Sequence, residues 1–151
     1  MIRSTVGEMP SDLVLKSMNT IHRGIIALTG NRVGWKAGGM PVIKLTTVGR
    51  RSGEPRSVML TSPVREGRAW IVVASKGGDD DHPAWFLNLR DNPSVTIESG
   101  PGAIHRATAR IATAAERERL WPRITAAYSN YASYQNRTQR EIPLVMIEPL
   151  P

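Results

Sequence analysis

The order of the predicted strands is the feature of this sequence that most constrains its fold. Three β-branched or apolar runs follow one another with only turns between them: Val42–Val48, Arg56–Val64 and Ala69–Ser75. Because no helical pattern separates them, neighbouring strands can pair through short antiparallel connections. The third run, AWIVVAS, is nearly continuous in apolar residues, which predicts a strand buried on both faces.

Three more runs complete the predicted sheet: Ser94–Glu98, Ala103–Ile111 and Ile142–Ile147. The chain therefore has about six predicted strands, and helices do not alternate with them as a doubly wound parallel sheet requires. We expect an α+β fold, a mainly antiparallel sheet or small barrel with helices on its outside.

The beginning of the chain is predicted to lie outside the sheet. Ser11 can cap an amphipathic helix that runs to about Thr29, and the Gly-rich stretch Gly30–Pro41 is typical of a loop. We therefore expect an N-terminal helix and linker over residues 1–38 and a strand-rich domain over residues 39–151.

Two helices are predicted within the strand-rich domain. The first has Pro83 in its first turn, and the aspartates just before it can act as its cap. The second opens with the capping box Thr113-x-x-Glu116. Pro122 follows inside that second helix, so we expect a kink or two short helices there.

The charge balance and the absence of cysteine limit the chemistry. Lys and Arg number 20 against 13 Asp and Glu, a formal charge of +7 that predicts an anionic partner. The lack of cysteine excludes disulfides, thiolate catalysis and Cys-ligated metals. No apolar run reaches the roughly 18 residues of a membrane span and no secretory signal pattern is present, so we expect a cytoplasmic protein.

A basic turn is the first candidate site. Between two predicted strands, Arg50, Arg51 and Arg56 flank a turn that contains two glycines. Glycine permits positive φ, so that successive N–H groups can face one concavity, and arginines can add charge-assisted bonds to a phosphate. The Lys-Ser/Thr pair and the helix of a Walker loop are missing. A solvated basic hairpin is an equally consistent interpretation.

The loop Ser75-Lys76-Gly77-Gly78, at the end of the buried strand, is the second candidate. A lysine beside two glycines can approach a planar anionic ligand closely, although an ordinary connection explains the same residues. Aspartates follow this loop, but consecutive aspartates diverge and suit a helix N-terminus, so we predict no metal site.

Aromatic residues supply two further candidates. Trp85 and Asn88 share a helix face and can offer a ring wall and an amide to a ligand. The alternative is core packing for Trp85 and a role in the C-terminal turn of the helix for Asn88. The three tyrosines of the chain, Tyr128, Tyr131 and Tyr134, recur at a spacing of three. Phenols can line a site and donate a proton, although such a stripe is also common in packing.

The histidines give no support to hydrolase or metal chemistry. His22, His82 and His105 are scattered without metal-ligand spacing, and no Ser/His/Asp arrangement is apparent. A basic turn, a slot for a ring and no acid/base pair together indicate a domain that leaves the chemistry to a cofactor.

Seven motifs in the same order as in a known family span roughly residues 40–149. They are Leu45-Thr46-Thr47-x-Gly49-Arg50-Arg51-Ser52-Gly53-x-Pro55-Arg56, Ala74-Ser75-Lys76-Gly77-Gly78, Pro83-x-Trp85-x-Leu87-Asn88-Leu89, Asn92-Pro93, Trp121-Pro122, the three tyrosines, and Ile142-Pro143 with Glu148-Pro149. Through them the chain resembles the deazaflavin-dependent nitroreductases, also called F420H2-dependent quinone reductases.

The resemblance implies a split β-barrel that binds coenzyme F420. The cofactor-binding residues that it implies are Arg50, Arg51, Ser52, Arg56, Ser75, Lys76, Gly77, Trp85 and Asn88. The arginines would hold the phosphate and the polyglutamate tail, and the Lys76 loop would lie by the deazaflavin. The residues implied on the acceptor side are Met59, Thr61, Tyr128, Tyr131 and Tyr134.

The implied activity is hydride transfer from reduced F420 to a quinone-like, nitro or other electron-poor acceptor. Lys76 and backbone N–H groups would stabilise the reduced ring, and Ser75 or Tyr131 would position or protonate the acceptor. One member of the family has a proline and an aromatic residue where this chain has Met59 and Thr61. The acceptor pocket is therefore expected to be less aromatic, and cofactor binding is better supported than nitroimidazole activity.

Two alternatives remain at this stage. An FMN-binding split-barrel oxidoreductase would share the fold. A binding module is the other alternative, because basic residues flank the apolar stripe of the N-terminal helix and would suit the inner face of an anionic membrane. Nucleic acid is disfavoured because aromatic residues make up only 5% of the chain. We expect a monomer or a homodimer.

Overall fold

Within the described part of the chain, eight strands form a single curled antiparallel sheet, which three α-helices accompany. A computed structural model describes residues 35–37 and 39–151, and the predicted N-terminal helix lies outside these residues. The strands are β1 (Lys36–Ala37), β2 (Met40–Val48), β3 (Pro55–Thr61), β4 (Val64–Glu66), β5 (Ala69–Val73), β6 (Ser94–Glu98), β7 (Ile104–Ile111) and β8 (Leu144–Pro149). The helices are α1 (Ala84–Asp91), α2 (Ala114–Ala127) and α3 (Asn130–Asn136).

Strand pairing follows the order β1-β2-β6-β7-β8-β5-β4. Outside this order β3 also pairs with β2, and every pair is antiparallel. The predicted α+β class with a mainly antiparallel sheet is confirmed. Because the pairing alternates in direction, β2, β7 and β5 all run the same way. The turn after β2 and the loop after β5 consequently lie at the same end of the sheet.

Two apolar clusters lie on opposite faces of the sheet. Successive residues of a strand face opposite sides, so Val72 belongs to the first cluster and its neighbour Ile71 to the second. Helix α1 closes the first cluster, whose largest members are Ile43, Leu45, Phe86, Leu89 and Ile97. Helices α2 and α3 close the second, which includes Leu120, Ile124, Tyr131, Leu144 and Met146. Each such buried side chain stabilises the fold by about 1.5–3 kcal/mol.

The predicted strand Arg56–Val64 is wrong at its end, because the chain breaks into two strands at Ser62. The backbone N–H of Ser62 donates to Pro41, and its hydroxyl donates to the carbonyl of Ile71 at 2.8 Å. The next residue, Pro63, has no N–H to give to a ladder. The residues after Pro63 form β4, which pairs with β5 at the other end of the strand order.

The predicted loop Gly30–Pro41 is also wrong over its last residues. Lys36 and Ala37 pair with the beginning of β2, which starts at Met40. With β4, this pairing raises the number of strands from the predicted six or so to eight. The last strand begins two residues later than predicted, at Leu144.

The prediction of two short helices divided at Pro122 is wrong, since α2 continues through Pro122 to Ala127. The proline removes one hydrogen bond to the carbonyl of Glu118, and both residues are exposed, so water can satisfy that carbonyl. The capping box of Thr113 and Glu116 is confirmed.

The predicted aspartate cap of α1 is also wrong. Pro83 occupies the cap position without a side-chain hydrogen bond. The carboxylate of Asp79 instead accepts the backbone N–H of Asp81 at 2.8 Å, and so stabilises the loop before the helix.

Candidate functional site

The basic turn between β2 and β3 is closed by its own backbone. The N–H of Gly49 donates to Glu54, and that of Gly53 donates to Gly49, both at 2.8 Å. A Cβ at position 49 would lie 2.6 Å from the hydroxyl oxygen of Ser52, and Gly53 has a φ of +73°. Both glycines of the motif are therefore required by the shape of the turn.

Ser52 organises this turn from within. Its hydroxyl oxygen accepts the N–H of Glu54 at 3.1 Å and an Nη2 hydrogen of Arg56 at 3.3 Å. The second bond ties the guanidinium of Arg56 to the turn. Arg50, Arg51 and Arg56 are all exposed there.

Asn88 of α1 connects the helix to the basic turn. Its side-chain oxygen accepts two hydrogen bonds from Arg50, one from the backbone N–H at 3.2 Å and one from Nη1 at 3.1 Å. Its Nδ2 donates to the hydroxyl of Thr47 at 3.1 Å. Asn88 is only 4% exposed, so this amide works mainly inside the protein, where it positions Arg50.

The positive charge of the turn is not neutralised by the described part of the chain. No carboxylate there forms an ion pair with Arg50, Arg51 or Arg56. The described pairs instead join Arg110 to Glu116 and Glu148, Arg117 to Glu141, and Arg119 to Glu66. Three guanidinium groups on one exposed turn form a site suited to a phosphate or a group of carboxylates.

The second candidate, the loop after β5, has an unusual backbone. Lys76, Gly77 and Gly78 have φ values of 47°, 64° and 88°, so that three successive residues occupy the left-handed region. Lys76 is the only residue other than glycine with positive φ in the described chain. A Cβ on Gly78 would lie 2.6 Å from the backbone oxygen of Tyr134, so the loop packs directly against α3.

Arg140 holds this loop in place, and sequence analysis missed it. Its Nε donates to the carbonyl of Asp79 at 2.7 Å, and its Nη2 donates to those of Ser75 at 2.9 Å and Ala74 at 3.3 Å. Its Nη1 lies 3.2 Å from Nδ1 of His82. Burial and the nearby Arg140 and Arg90 lower the pKa of His82, which favours a neutral ring that accepts this bond.

No local pattern marks Arg140, because its partners lie about 60 residues earlier in the sequence. Only the docking of the segment after α3 onto the loop brings them together. Arg137 adds a longer bond from Nη1 to the carbonyl of Gly77 at 3.4 Å. The loop is therefore fastened to α3 and the residues after it at several points.

Tyr131 meets one of the predicted acceptor-side residues. Its hydroxyl lies 3.0 Å from that of Thr61 on β3 and 3.5 Å from the sulfur of Met40. Tyr131 is 5% exposed, and burial raises the pKa of its phenol, which stays protonated at neutral pH. The ring of Tyr134 packs edge-on against it at 6.1 Å, whereas Tyr128 lies at the end of α2.

The remaining predicted site residues lie partly in the core. Trp85 is half-buried against the first apolar cluster and meets Phe86 edge-on. Met59 is buried in a small cluster with Val42, which Trp35 covers. Among the described contacts, none joins Ser75 directly to the tyrosines. The basic turn and the Lys76 loop, in contrast, lie at the same end of the sheet.

Comparison with known proteins decides the family. A family model described as F420H(2)-dependent quinone reductase matches residues 19–149. The chain belongs to this family. An F420H2-dependent quinone reductase of Mycobacterium tuberculosis is 36% identical over 137 residues, which cover 89% of each chain.

Two solved structures share the fold. An F420H2-dependent reductase is 39% identical, with a TM-score of 0.63 over 72% of this chain and 94% of that chain. A protein described as a domain-swapped dimer is 35% identical, with a TM-score of 0.66 over 85% and 96% of the two chains. These similarities confirm the predicted split-barrel fold, the oxidoreductase function and F420 as the cofactor, and the FMN alternative is not needed.

Two further observations concern alternatives raised by the sequence. Across the described residues, no helix has the length and apolar content needed to cross a membrane. The same residues contain no group of three His, Asp or Glu side chains placed as metal ligands.

Proposed function

We propose that this F420H2-dependent quinone reductase binds F420 between the basic turn and the Lys76 loop and reduces a quinone-like acceptor beside Tyr131. The observation that carries the assignment is the turn itself, where Arg50, Arg51 and Arg56 have no described carboxylate partner. Its location at the same end of the sheet as the Lys76 loop supports a ligand that spans both.

The donors present suit such a cofactor. Arg51 and Arg56 would bind the phosphate and the carboxylates of the tail, and Asn88 would hold Arg50 in position for the same group. The Lys76 ammonium group and the backbone N–H groups of its loop would stabilise negative charge on the ring. When bound, reduced F420 supplies the hydride, so the protein needs no redox-active side chain.

Tyr131 is the best placed proton donor on the acceptor side. Its raised pKa keeps the phenol protonated, and its O–H can turn from the weak sulfur acceptor of Met40 toward a carbonyl oxygen of the acceptor. The hydroxyl of Thr61 would hold the phenol oxygen during that movement. Ser75 is the alternative donor, and Met59 would shape the pocket wall.

The activity is tested by following the oxidation of reduced F420 in the presence of a panel of quinones and nitroaromatic compounds. We expect turnover with quinones to exceed that with nitroimidazoles, since Met59 and Thr61 make the pocket less aromatic. Absence of turnover with every quinone, under conditions where F420 binds, would contradict the proposed reaction.

The role of Tyr131 is tested by Tyr131→Phe, which removes the hydroxyl and keeps the ring. We expect kcat to fall about tenfold or more while the affinity for F420 stays nearly unchanged. Tyr128→Phe is the matched control, because Tyr128 makes no described hydroxyl bond to Thr61. Equal turnover of Tyr131→Phe and the parent protein would exclude Tyr131 as the donor.

We further propose that the chain forms a homodimer and that residues 1–30 contact an anionic membrane surface. The structural relative described as a domain-swapped dimer supports the first statement, and the basic residues flanking the predicted helix support the second. Light scattering would report the dimer, and flotation with anionic vesicles would compare the full chain with one lacking residues 1–30. A monomer, or equal flotation, would contradict the respective statement.

A further inference from the structure

A second cationic cavity opens at the other end of the sheet from the basic turn. It has a volume of about 220 Å³ and is lined by Arg65, Arg68, Trp70, Ser99, His105 and Pro149. These residues come from the β4–β5 hairpin, the end of β6, the start of β7 and the end of β8. Nothing in the F420-binding site accounts for a group of basic side chains at this location.

Arg65 is exposed at the wall of this cavity and is restrained there by two hydrogen bonds and a ring contact. Its Nε donates to the carbonyl of Ala69 at 3.2 Å, and its Nη2 donates to that of Arg68 at 2.9 Å. Its guanidinium carbon stands 3.5 Å from the ring centroid of Trp70. A guanidinium already restrained in this way loses little conformational entropy when it binds an anion. The hydrogen bonds described for Arg65 use Nε and Nη2 and not Nη1.

The alternation of the strands keeps carboxylates away from the cavity. Arg65 pairs with Trp70, and the next residue, Glu66, therefore faces the other side of the sheet, where it forms an ion pair with Arg119. In the same way, Glu148 neighbours Pro149 but faces the other side and pairs with Arg110. The positive charge that Arg65 and Arg68 bring to the cavity has no acidic neighbour among the residues lining it.

We propose that this cavity is a binding site for a phosphate group. Arg65 and Arg68 supply charge-assisted hydrogen bonds, and the Ser99 hydroxyl and the His105 ring supply further polar contacts. The volume accommodates a tetrahedral phosphate together with a small organic group. Free phosphate and a phosphomonoester share this chemistry, and the test below distinguishes the two. The cavity lies at the opposite end of the sheet from the basic turn and the Lys76 loop.

The test follows the indole N–H resonances of Trp70 and Trp85 by NMR as inorganic phosphate is exchanged for chloride at constant ionic strength. Trp70 reports on the cavity and Trp85 on the end of the sheet with the basic turn, and Trp70→Phe assigns the first signal. We expect a saturable shift of Trp70 with phosphate and none with chloride. Glycerol 3-phosphate provides the second arm, since tighter binding of the ester would identify a phosphorylated metabolite as the ligand.

Two variants distinguish a specific phosphate site from non-specific attraction of phosphate to a basic surface. Arg68→Ala removes one guanidinium and keeps the backbone carbonyl that holds Arg65, so phosphate affinity read at Trp70 should fall about tenfold. Arg106→Ala is the matched control, because Arg106 is exposed on the same strand as His105 but faces the other side. A shift that never saturates, or an equal loss of affinity in both variants, would overturn the proposal.

Discussion

Gly78→Ala is the substitution whose consequence follows most directly from the structure. Gly78 has a φ of +88°, and an added Cβ would lie 2.6 Å from the backbone oxygen of Tyr134. The left-handed backbone costs a non-glycine residue about 1–2 kcal/mol. The clash is with backbone rather than with a mobile side chain, so the loop and α3 must move apart, at an additional cost of about 1–3 kcal/mol.

Gly102→Ala separates the two contributions. Gly102 also has a positive φ, +72°, but an added Cβ there meets nothing within 4 Å. We expect Gly102→Ala to lower the free energy of unfolding by about 1–2 kcal/mol and Gly78→Ala by about 2–5 kcal/mol. At about 2–4 °C per kcal/mol, the difference should be visible as a lower Tm of Gly78→Ala.

The assay combines urea unfolding with F420 titration on both variants. Because the displaced loop carries Lys76, Gly78→Ala should weaken F420 binding by about tenfold, whereas Gly102→Ala should leave the Kd unchanged. Equal loss of stability in the two variants would refute the close approach of the loop to α3. Unchanged F420 affinity of Gly78→Ala would refute the assignment of the loop to the cofactor site.

Three more substitutions test individual contacts. Arg140→Ala should lower the free energy of unfolding by about 2–4 kcal/mol and weaken F420 binding, with partial recovery in Arg140→Lys, because the loop carbonyls lose their donor; urea unfolding and F420 titration measure both. Asn88→Ala should weaken F420 binding several-fold by releasing Arg50, and an unchanged Kd would refute that role. Hydrogen bonds from Arg110 and Thr113 hold the pKa of Glu116 at about 2, below its ordinary 4.5. Glu116 therefore stabilises the fold above about pH 4.5 and loses this effect as the pH falls toward 2, so Glu116→Gln should flatten urea-derived stability over that range.

The sequence predicted the sheet because its strands are continuous in pattern, but it could not predict where one of them changes partner. The run Arg56–Val64 is apolar and β-branched enough to be predicted as one strand, although it contains Pro63, which has no N–H for a ladder. The pairing of Val64 with β5 shows where the break falls. Pro122 shows the converse. A proline inside a helix predicts a break, yet α2 continues through Pro122, and the residue whose carbonyl loses its donor, Glu118, is exposed.

The sequence pointed to the motifs of the candidate site but not to the hydrogen bonds that hold those motifs in place. Glycine and arginine spacing identified the basic turn and the Lys76 loop, since both depend on neighbouring residues. The role of Asn88 was predicted as contact with a ligand, whereas its amide oxygen is taken up by Arg50. Arg140 gave no signal at all, because its bonds to Ser75 and Asp79 exist only after α3 has docked.

The most direct test of the account is a fluorescence titration of the purified protein with F420 and, separately, with FMN, on the parent protein and on Arg51→Ala. We predict saturable binding of F420, weaker binding of FMN, and a loss of F420 affinity of about tenfold in Arg51→Ala. Binding of FMN without binding of F420, or F420 affinity that is indifferent to Arg51, would contradict it.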